Sequence, residues 1–330
     1  MVPRRLSHEV SAPLCVRCVG PRRIDLPAGS RGLSRKSWTQ ALPRHEKFAA
    51  DSQRAEWGEG SGRLGAERAR PLLPRSDLDE QIFDTIRSAF TGRLPLEGRG
   101  AVGYAPIFVI GLPETGTRTV ASTLSRHPAV ALAAENGAFA NVLCRAARKT
   151  RIDADAICRI AGMSAERIGQ AYLDAACRGG NADVLHIVDE QALNFLYVGF
   201  ILQALPNARV LCVRRGAMDS AWNLFGRALA PPFDYWGASL QGAARLVLLF
   251  QRLMGFWRQR FPGRIHEITY EWLAADPEAE TRRMLAHCGL DWHPACTMPP
   301  IGSDIGEWRD GADQSDAIIA FFAAHGITAD

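Results

Sequence analysis

The 330-residue chain lacks several features that would define its class. No apolar run reaches the roughly 18 residues of a membrane-spanning helix. The first 20 residues contain arginines but no continuous apolar core, so no secretory signal is predicted. Cys15 and Cys18 form one CxxC pair, but no second close pair follows to complete a zinc site. We therefore expect a cytoplasmic protein with reduced cysteines, no transmembrane segment and no metal centre.

The first 75 residues also have few large aromatic side chains. Phe48, Trp38 and Trp57 are too few to support a separate core. This segment holds 15 Lys and Arg against 7 Asp and Glu, whereas the other 255 residues hold 24 against 28. We interpret residues 1–75 as a solvated basic tail of low order. The charge alone would also allow contact with nucleic acid or an acidic membrane, but we expect no nucleic-acid partner.

An ordered pattern begins at Ser76. Leu78, Ile82, Ile86 and Phe90 fall on one face of a helix, and a Gly- and Pro-rich stretch, GRLPLEGRG, follows that helix. We interpret residues 76–100 as a helical lead-in and linker, and residues 101–330 as the main domain.

The main domain alternates predicted strands with predicted helices. The apolar strand candidates are 106–111, 184–188, 208–213 and 264–269. Helical patterns cover 117–126, 137–148, 165–178, 192–205, 217–229, 236–261 and 278–288, and a last amphipathic helix is predicted near 315–324. Alternation of this kind predicts a three-layer α/β fold with a central parallel sheet flanked by helices.

The first strand runs directly into a stretch typical of a phosphate loop. Glycines let the backbone fold around an anion, and the first N–H groups of the next helix point at it. The hydroxyls of Thr115, Thr117 and Thr119 add donors. The loop is not the GxxxxGK[ST] type, because Thr117 and Arg118 follow Gly116. A plain strand–turn–helix corner is the alternative.

Four motifs in order give the chain a family resemblance. They are Pro113-Glu114-Thr115-Gly116-Thr117-Arg118 followed by His127-Pro128; Arg215 with Asp219 and Asn223; YEWLAADPE at 270–278 followed by Cys288-Gly289-Leu290; and Gly306-Glu307-Trp308-Arg309. Over residues 76–310 this set resembles the sulfotransferases that use 3′-phosphoadenosine 5′-phosphosulfate (PAPS), especially their bacterial and tyrosylprotein-type branches. The resemblance implies a P-loop fold, PAPS as co-substrate, and no metal.

The resemblance also implies roles for individual residues. The loop from Pro113 to Thr119, including Glu114, Thr115, Gly116, Thr117 and Arg118, would hold the 5′-phosphosulfate. Arg215 and Asn223 would hold the 3′-phosphate, and Arg309 would close over it. A surface ion pair is the alternative for Arg215, and a solvated side chain is the alternative for Arg309.

Glu135 is the predicted base that accepts the proton of the acceptor. A glutamate at a helix N-terminus that interacts with the helix dipole is the alternative. His127 is the other candidate base, although a structural role suits a histidine before proline. The acceptor would be a hydroxyl or an amine on a small molecule, carbohydrate or peptide. Nothing in the sequence selects one of these or the oligomeric state.

Two positions depart from the family pattern. Glu114 and Glu190 stand where the family has cations, so two positive charges near a polyanion have become negative. Arg118 either replaces them or pairs with Glu114. Three hypotheses follow: an active sulfotransferase with Arg118 as the cation, a relative that binds nucleotide or a partner without catalysis, or a P-loop enzyme of another class such as a kinase. A strand-end Asp facing Thr117 would favour the kinase, which otherwise lacks its loop lysine.

Overall fold

A sheet of five parallel strands forms the centre of the computed structural model. The structure describes residues 76–92, 101, 104–134, 137–177, 184–227 and 236–328, so the predicted tail at 1–75 lies outside it. The strands are β1 (Ile107–Gly111), β2 (Val130–Leu132), β3 (His186–Glu190), β4 (Arg209–Arg214) and β5 (Ile265–Thr269).

The strand order β2-β3-β1-β4-β5 places β1 in the middle of the sheet. Val109 lies opposite Glu190 of β3, and Gly111 lies opposite Val213 of β4. Because all strands run parallel, their carboxyl ends meet at one edge. The order reverses direction at β1, and in open α/β sheets ligands bind in the crevice at such a point. The loop after β1 therefore opens at that crevice.

Helices cover both faces of the sheet. Phe108 and Ile110 of β1 point into one core, which also contains residues of β3 and β4. Ile107 and Val109 point into a second core on the opposite face. This alternation follows from the two-residue period of a strand. All five residues of β1 are buried, because helices cover both faces of the sheet at this strand.

The helices begin and end where local sequence permits. They are α1 (Ser76–Ala89), α2 (Thr117–Leu124), α3 (Ala138–Ala147), α4 (Ala154–Ala161), α5 (Ala165–Ala176), α6 (Val198–Ala204), α7 (Ala217–Leu224), α8 (Leu240–Arg260), α9 (Tyr270–Ala275), α10 (Pro277–Cys288) and α11 (Ala312–Ala324). Asp153, Ser164, Ser239 and Asp276 each cap a helix by accepting a backbone N–H. Gly289 ends α10 with φ of 73°.

The predicted three-layer α/β fold with a central parallel sheet is confirmed. The second core contains residues of α2, α9 and α10, whereas most of the other helices pack into the first. The predicted helix at 192–205 is a 3-10 helix (Ala192–Tyr197) that continues into α6. Neither β2 nor α9 was predicted, since each is too brief to show a clear period. The eight-residue helix α4 was also missed, although Ala156, Ile157 and Ile160 recur at helical spacing.

Within the described residues, the search for helices with the length and apolar character of a membrane span found none.

Candidate functional site

The loop after β1 ends at Gly116, which has a φ of 94°. A Cβ atom there would lie 2.8 Å from a ring carbon of Tyr270, so both the backbone conformation and the space require glycine. The first intrahelical bond of α2 runs from Val120 N to Gly116 O at 3.2 Å. The N–H groups before Val120 therefore lack partners within the helix.

This end of α2 is suited to an anion. Gly116 offers no side chain to cap it, and the first turn contains no acidic residue. The N–H groups of the first turn and the positive end of the helix dipole would both attract a phosphate.

The threonines of the loop have different partners. The buried Thr115 hydroxyl donates to Leu112 O at 2.7 Å, which closes the loop on itself. The Thr117 hydroxyl donates to Oε1 of Glu190 at 2.9 Å. Pro113 and Thr119 are partly buried beside them. Thr115 therefore shapes the loop, whereas Thr117 connects it to the neighbouring strand.

Glu114 lies in the left-handed region at φ of 65°. A residue other than glycine there costs on the order of 1 kcal/mol. Its carboxylate is 3.9 Å from Nη2 of Arg227, and both side chains are nearly half exposed. Solvent and Arg227 therefore offset part of the negative charge that Glu114 brings to the loop.

Glu190 ends β3 beside β1 and is partly buried. The kinase hypothesis required an aspartate at a strand end that faces Thr117. Glu190 makes this contact, with a glutamate in place of the aspartate. Within the described ranges, no group of three or more His, Cys, Asp or Glu side chains is placed to hold a metal ion. The contact therefore places a negative charge next to the loop, and the described residues show no cluster of metal ligands there.

Arg215 follows β4 and is almost wholly enclosed, with 1% of its side chain exposed. Its Nη1 donates to Oδ2 of Asp304 at 2.7 Å, and its Nη2 donates to the Asp304 carbonyl at 2.8 Å. Asp219 lies 3.6 Å from Nη2. The Nε atom is buried and has no hydrogen-bond partner in the described part of the chain. Asp304 thus accepts from two of the Arg215 donors that the family resemblance assigned to a phosphate.

Tyr270 connects the loop to Arg215. Its ring packs on Gly116 and lies 4.6 Å from the guanidinium carbon of Arg215, and its hydroxyl donates to Oδ1 of Asp304 at 3.2 Å. Burial raises the pKa of Tyr270, which keeps this hydroxyl a donor. Partial burial opposes ionisation of Asp304, but the hydrogen bond and charge of Arg215 outweigh it and lower the pKa of that carboxyl.

Two backbone N–H groups complete this arrangement. Gly306 N donates to Oδ1 of Asp219 at 2.8 Å, and Gly216 N donates to Oε1 of Glu271 at 2.8 Å. Parts of all four sequence motifs therefore meet at the carboxyl edge of the sheet, although they are far apart in the chain.

The remaining predicted cations and donors lie on α2, α7 and a 3-10 helix near the C-terminal end of the described chain. Arg118 is exposed as the second residue of α2. Asn223 is partly buried on α7, one turn beyond Asp219. Arg309 is exposed in the 3-10 helix Glu307–Gly311, and its guanidinium carbon lies 4.5 Å from the centre of the Trp308 ring.

Of the two predicted bases, the described residues include His127, which stands apart from the loop. His127 follows the carboxyl end of α2, opposite the end that carries the loop. Its Nδ1 accepts from Ala129 N at 3.1 Å, and its Nε2 lies 3.1 Å from the Asp291 carbonyl. Both ring nitrogens are engaged in holding this turn, so the structure does not bring His127 to the site. Glu135 lies outside the described residues.

A strand–loop–helix unit at the centre of a parallel sheet, with an arginine at the end of the next strand, defines an α/β protein of the P-loop class. The sequence model of the sulfotransferase family matches residues 106–294, more than half of the chain. The chain therefore belongs to the sulfotransferase family.

Three known proteins illustrate how distant its relatives are. A protein of Aquifex aeolicus (strain VF5), described as uncharacterized, is 31% identical over 208 residues, which are 60% of this chain and 27% of that protein. The crystal structure of a sulfotransferase from Alicyclobacillus acidocaldarius is 17% identical, with 67% of this chain and 97% of that one covered and a TM-score of 0.42. Sulfotransferase STF9 from Mycobacterium avium is 14% identical, with 68% and 76% covered and a TM-score of 0.41. These similarities are too low to transfer a substrate or a site residue.

Sequence reasoning did not identify Asp304 as part of the site. In the sequence, the glycines at 302 and 306 on either side of Asp304 were the available signal for a tight turn. In the structure both glycines have a left-handed φ. No local pattern, however, indicates that the turn reaches Arg215.

Proposed function

We propose that this chain transfers a sulfuryl group from PAPS to a hydroxyl or amine acceptor in the cytoplasm. The observation that carries the proposal is the packing of Tyr270 between Gly116 and Arg215. It places an uncapped helix N-terminus and a strand-end arginine side by side, where the two phosphate ends of one nucleotide could be held.

The residues of the site fit such a ligand in part. Gly116 provides no side-chain cap for the N–H groups at the start of α2, and the buried Nε of Arg215 has no hydrogen-bond partner among the described residues. Against them stand Glu190, which lies within hydrogen-bonding distance of Thr117, and Asp304, which holds Arg215. Binding therefore depends on how far the donors outweigh these two carboxylates.

Bound PAPS would supply an activated sulfuryl group attached to a phosphate leaving group. The N–H groups of α2 would orient that phosphate and stabilise the negative charge that develops on it. Arg118 would add the positive charge that Glu114 and Glu190 do not provide. Glu135 would accept the proton of the acceptor at its carboxylate. The acceptor would be a small molecule, carbohydrate or peptide.

A relative that binds nucleotide without turnover is the second candidate. Glu190 and Asp304 favour it, because both place negative charge beside groups that a polyanion would need. Like charges in a poorly solvated crevice weaken binding strongly.

Calorimetric titration of the full chain with PAP, the desulfated product, tests the proposal. We expect micromolar binding, and we expect Arg118→Ala to weaken it about tenfold, because a charged hydrogen bond contributes about 1.5–3 kcal/mol and solvent reduces that value at an exposed site. Arg167→Ala is the matched control, since Arg167 is also an exposed arginine in the first turn of a helix, α5. Its affinity for PAP should equal that of the wild type.

Incubation with PAPS and a panel of phenols, sugars and amines then separates the two candidates. Formation of PAP that depends on an acceptor supports sulfuryl transfer. Binding of PAP without turnover on any acceptor supports the nucleotide-binding relative. Absence of binding at millimolar PAP contradicts both.

A further inference from the structure

The segment Gly302-Ser303-Asp304-Ile305-Gly306, here called the 302–306 turn, carries a carboxylate into the site. Asp304 receives two hydrogen bonds from Arg215 and one from the Tyr270 hydroxyl. One of the two Arg215 bonds goes to the Asp304 carboxylate and the other to the Asp304 backbone carbonyl, so the carboxylate accepts from a guanidinium donor that could otherwise hold a phosphate. The turn thus offers Arg215 the same chemistry as an anionic ligand.

The 302–306 turn is built from residues that can rearrange. Gly302 and Gly306, at its two ends, have φ values of 97° and 85°, which glycine adopts without strain. Ser303 and Ile305 are exposed, and 38% of the Asp304 side chain is exposed. Few apolar contacts therefore hold the turn, and its described anchors are polar: Arg215, Tyr270 and Asp219.

Release of the turn would not leave Arg215 without a counter-charge. Asp219 stays 3.6 Å from Nη2 on the neighbouring helix α7. A buried guanidinium that lost every carboxylate would be costly, but here an incoming anion would exchange with Asp304 while Asp219 remains. The exchange is therefore one anion for another beside a guanidinium that keeps Asp219 as a second counter-charge.

We propose that Asp304 is an internal anion that occupies the anion site of Arg215, and that the 302–306 turn moves away when a phosphate group binds there. The identity of that phosphate as part of PAP rests on the proposed function. The exchange itself concerns Arg215 and any small phosphate, so inorganic phosphate and PAP serve as separate probes.

The experiment compares the wild-type chain with Asp304→Asn by calorimetric titration with inorganic phosphate and, separately, with PAP. Asparagine keeps the shape and one acceptor oxygen but removes the competing negative charge. We expect Asp304→Asn to bind inorganic phosphate at least about tenfold more tightly, which corresponds to 1.4 kcal/mol. Glu80→Gln is the matched control, because Glu80 forms a carboxylate–arginine pair with Arg245 at 2.6 Å between α1 and α8. Its phosphate affinity should not change.

Tyr270→Phe provides a second variant in case Asp304→Asn folds poorly. It removes one hydrogen bond to Asp304 and keeps the ring that packs on Gly116, so we expect a smaller gain, about two- to fivefold. Hydrogen exchange of the Gly306 amide adds an independent measurement, since that amide is bonded to Asp219. Phosphate should speed its exchange in the wild type if the turn moves.

Each outcome decides the proposal. Tighter phosphate binding in Asp304→Asn together with faster Gly306 exchange supports it, even if PAP binds neither protein, in which case only the proposed function fails. Equal phosphate affinity in the wild type and both variants overturns it and identifies the Arg215–Asp304 pair as structural. Absence of phosphate binding to all of them also overturns it, because Arg215 is then not an anion site.

Discussion

Asp189 makes the stability of the protein depend on pH in an unusual direction. Its carboxylate is buried in β3, and its Oδ2 has no hydrogen-bond partner among the described residues. Asn194 donates to Oδ1 at 3.2 Å. Burial raises the pKa of Asp189 to about 7, and interactions with Tyr172 and Asn194 offset only part of that rise.

The sign follows from proton binding. Between an unfolded pKa of 3.8 and a folded pKa of about 7, the folded state binds more protons than the unfolded state, so this group favours folding less as pH rises. From about pH 5 to about pH 7.5 the free energy of unfolding falls by roughly 2–3 kcal/mol on account of this residue. Other groups add their own dependence, so the prediction concerns a difference between variants.

Denaturant unfolding of the wild type and Asp189→Asn at these two pH values measures that difference. We expect the drop in the free energy of unfolding to be smaller by roughly 2–3 kcal/mol in Asp189→Asn, because asparagine does not titrate. Asp174→Asn, which changes an exposed carboxylate on α5, should leave the drop unchanged. An identical pH dependence in the wild type and Asp189→Asn would refute the reasoning and mean that Asp189 is charged in the folded protein.

Two further predictions concern stability. Gly116→Ala should destabilise the fold by several kcal/mol, more than the about 1–2 kcal/mol expected for Gly263→Ala, because φ is positive at both glycines but only Gly116 has the Tyr270 ring against it. Denaturant unfolding measures both variants, and equal costs would contradict the assigned contact. Burial, together with the charges of His266 and Arg209, lowers the pKa of His287 from its usual 6.5 to about 4. Between these two pKa values the unfolded state binds more protons than the folded state, so the free energy of unfolding falls as the pH drops. In His287→Gln this fall should be smaller by about 1–2 kcal/mol. His325→Gln, a change at an exposed histidine, should leave the fall as it is in the wild type. Equal effects of the two variants would show that His287 is not the responsible group.

The fold was largely predictable because its signals are local. The buried strand Ile107–Gly111 shows its apolar run directly, and the helix after Gly116 follows from the glycine and the periodicity behind it. Each of these depends on neighbours in the sequence. The short strand Val130–Leu132 has too few residues to show a period, so its pairing with β3 was visible only in the sheet.

The sequence by itself determined that the phosphate-loop motif, the strand-end arginine and the later motifs occur in the order found in one family. Only the tertiary structure decided which charges meet. Glu114 lies near Arg227, Thr117 donates to Glu190 across 73 residues, and Arg215 donates to Asp304 across 89. Such pairs depend on where the chain returns after long connections, and the energy of an ion pair depends on burial and distance, which no local pattern encodes.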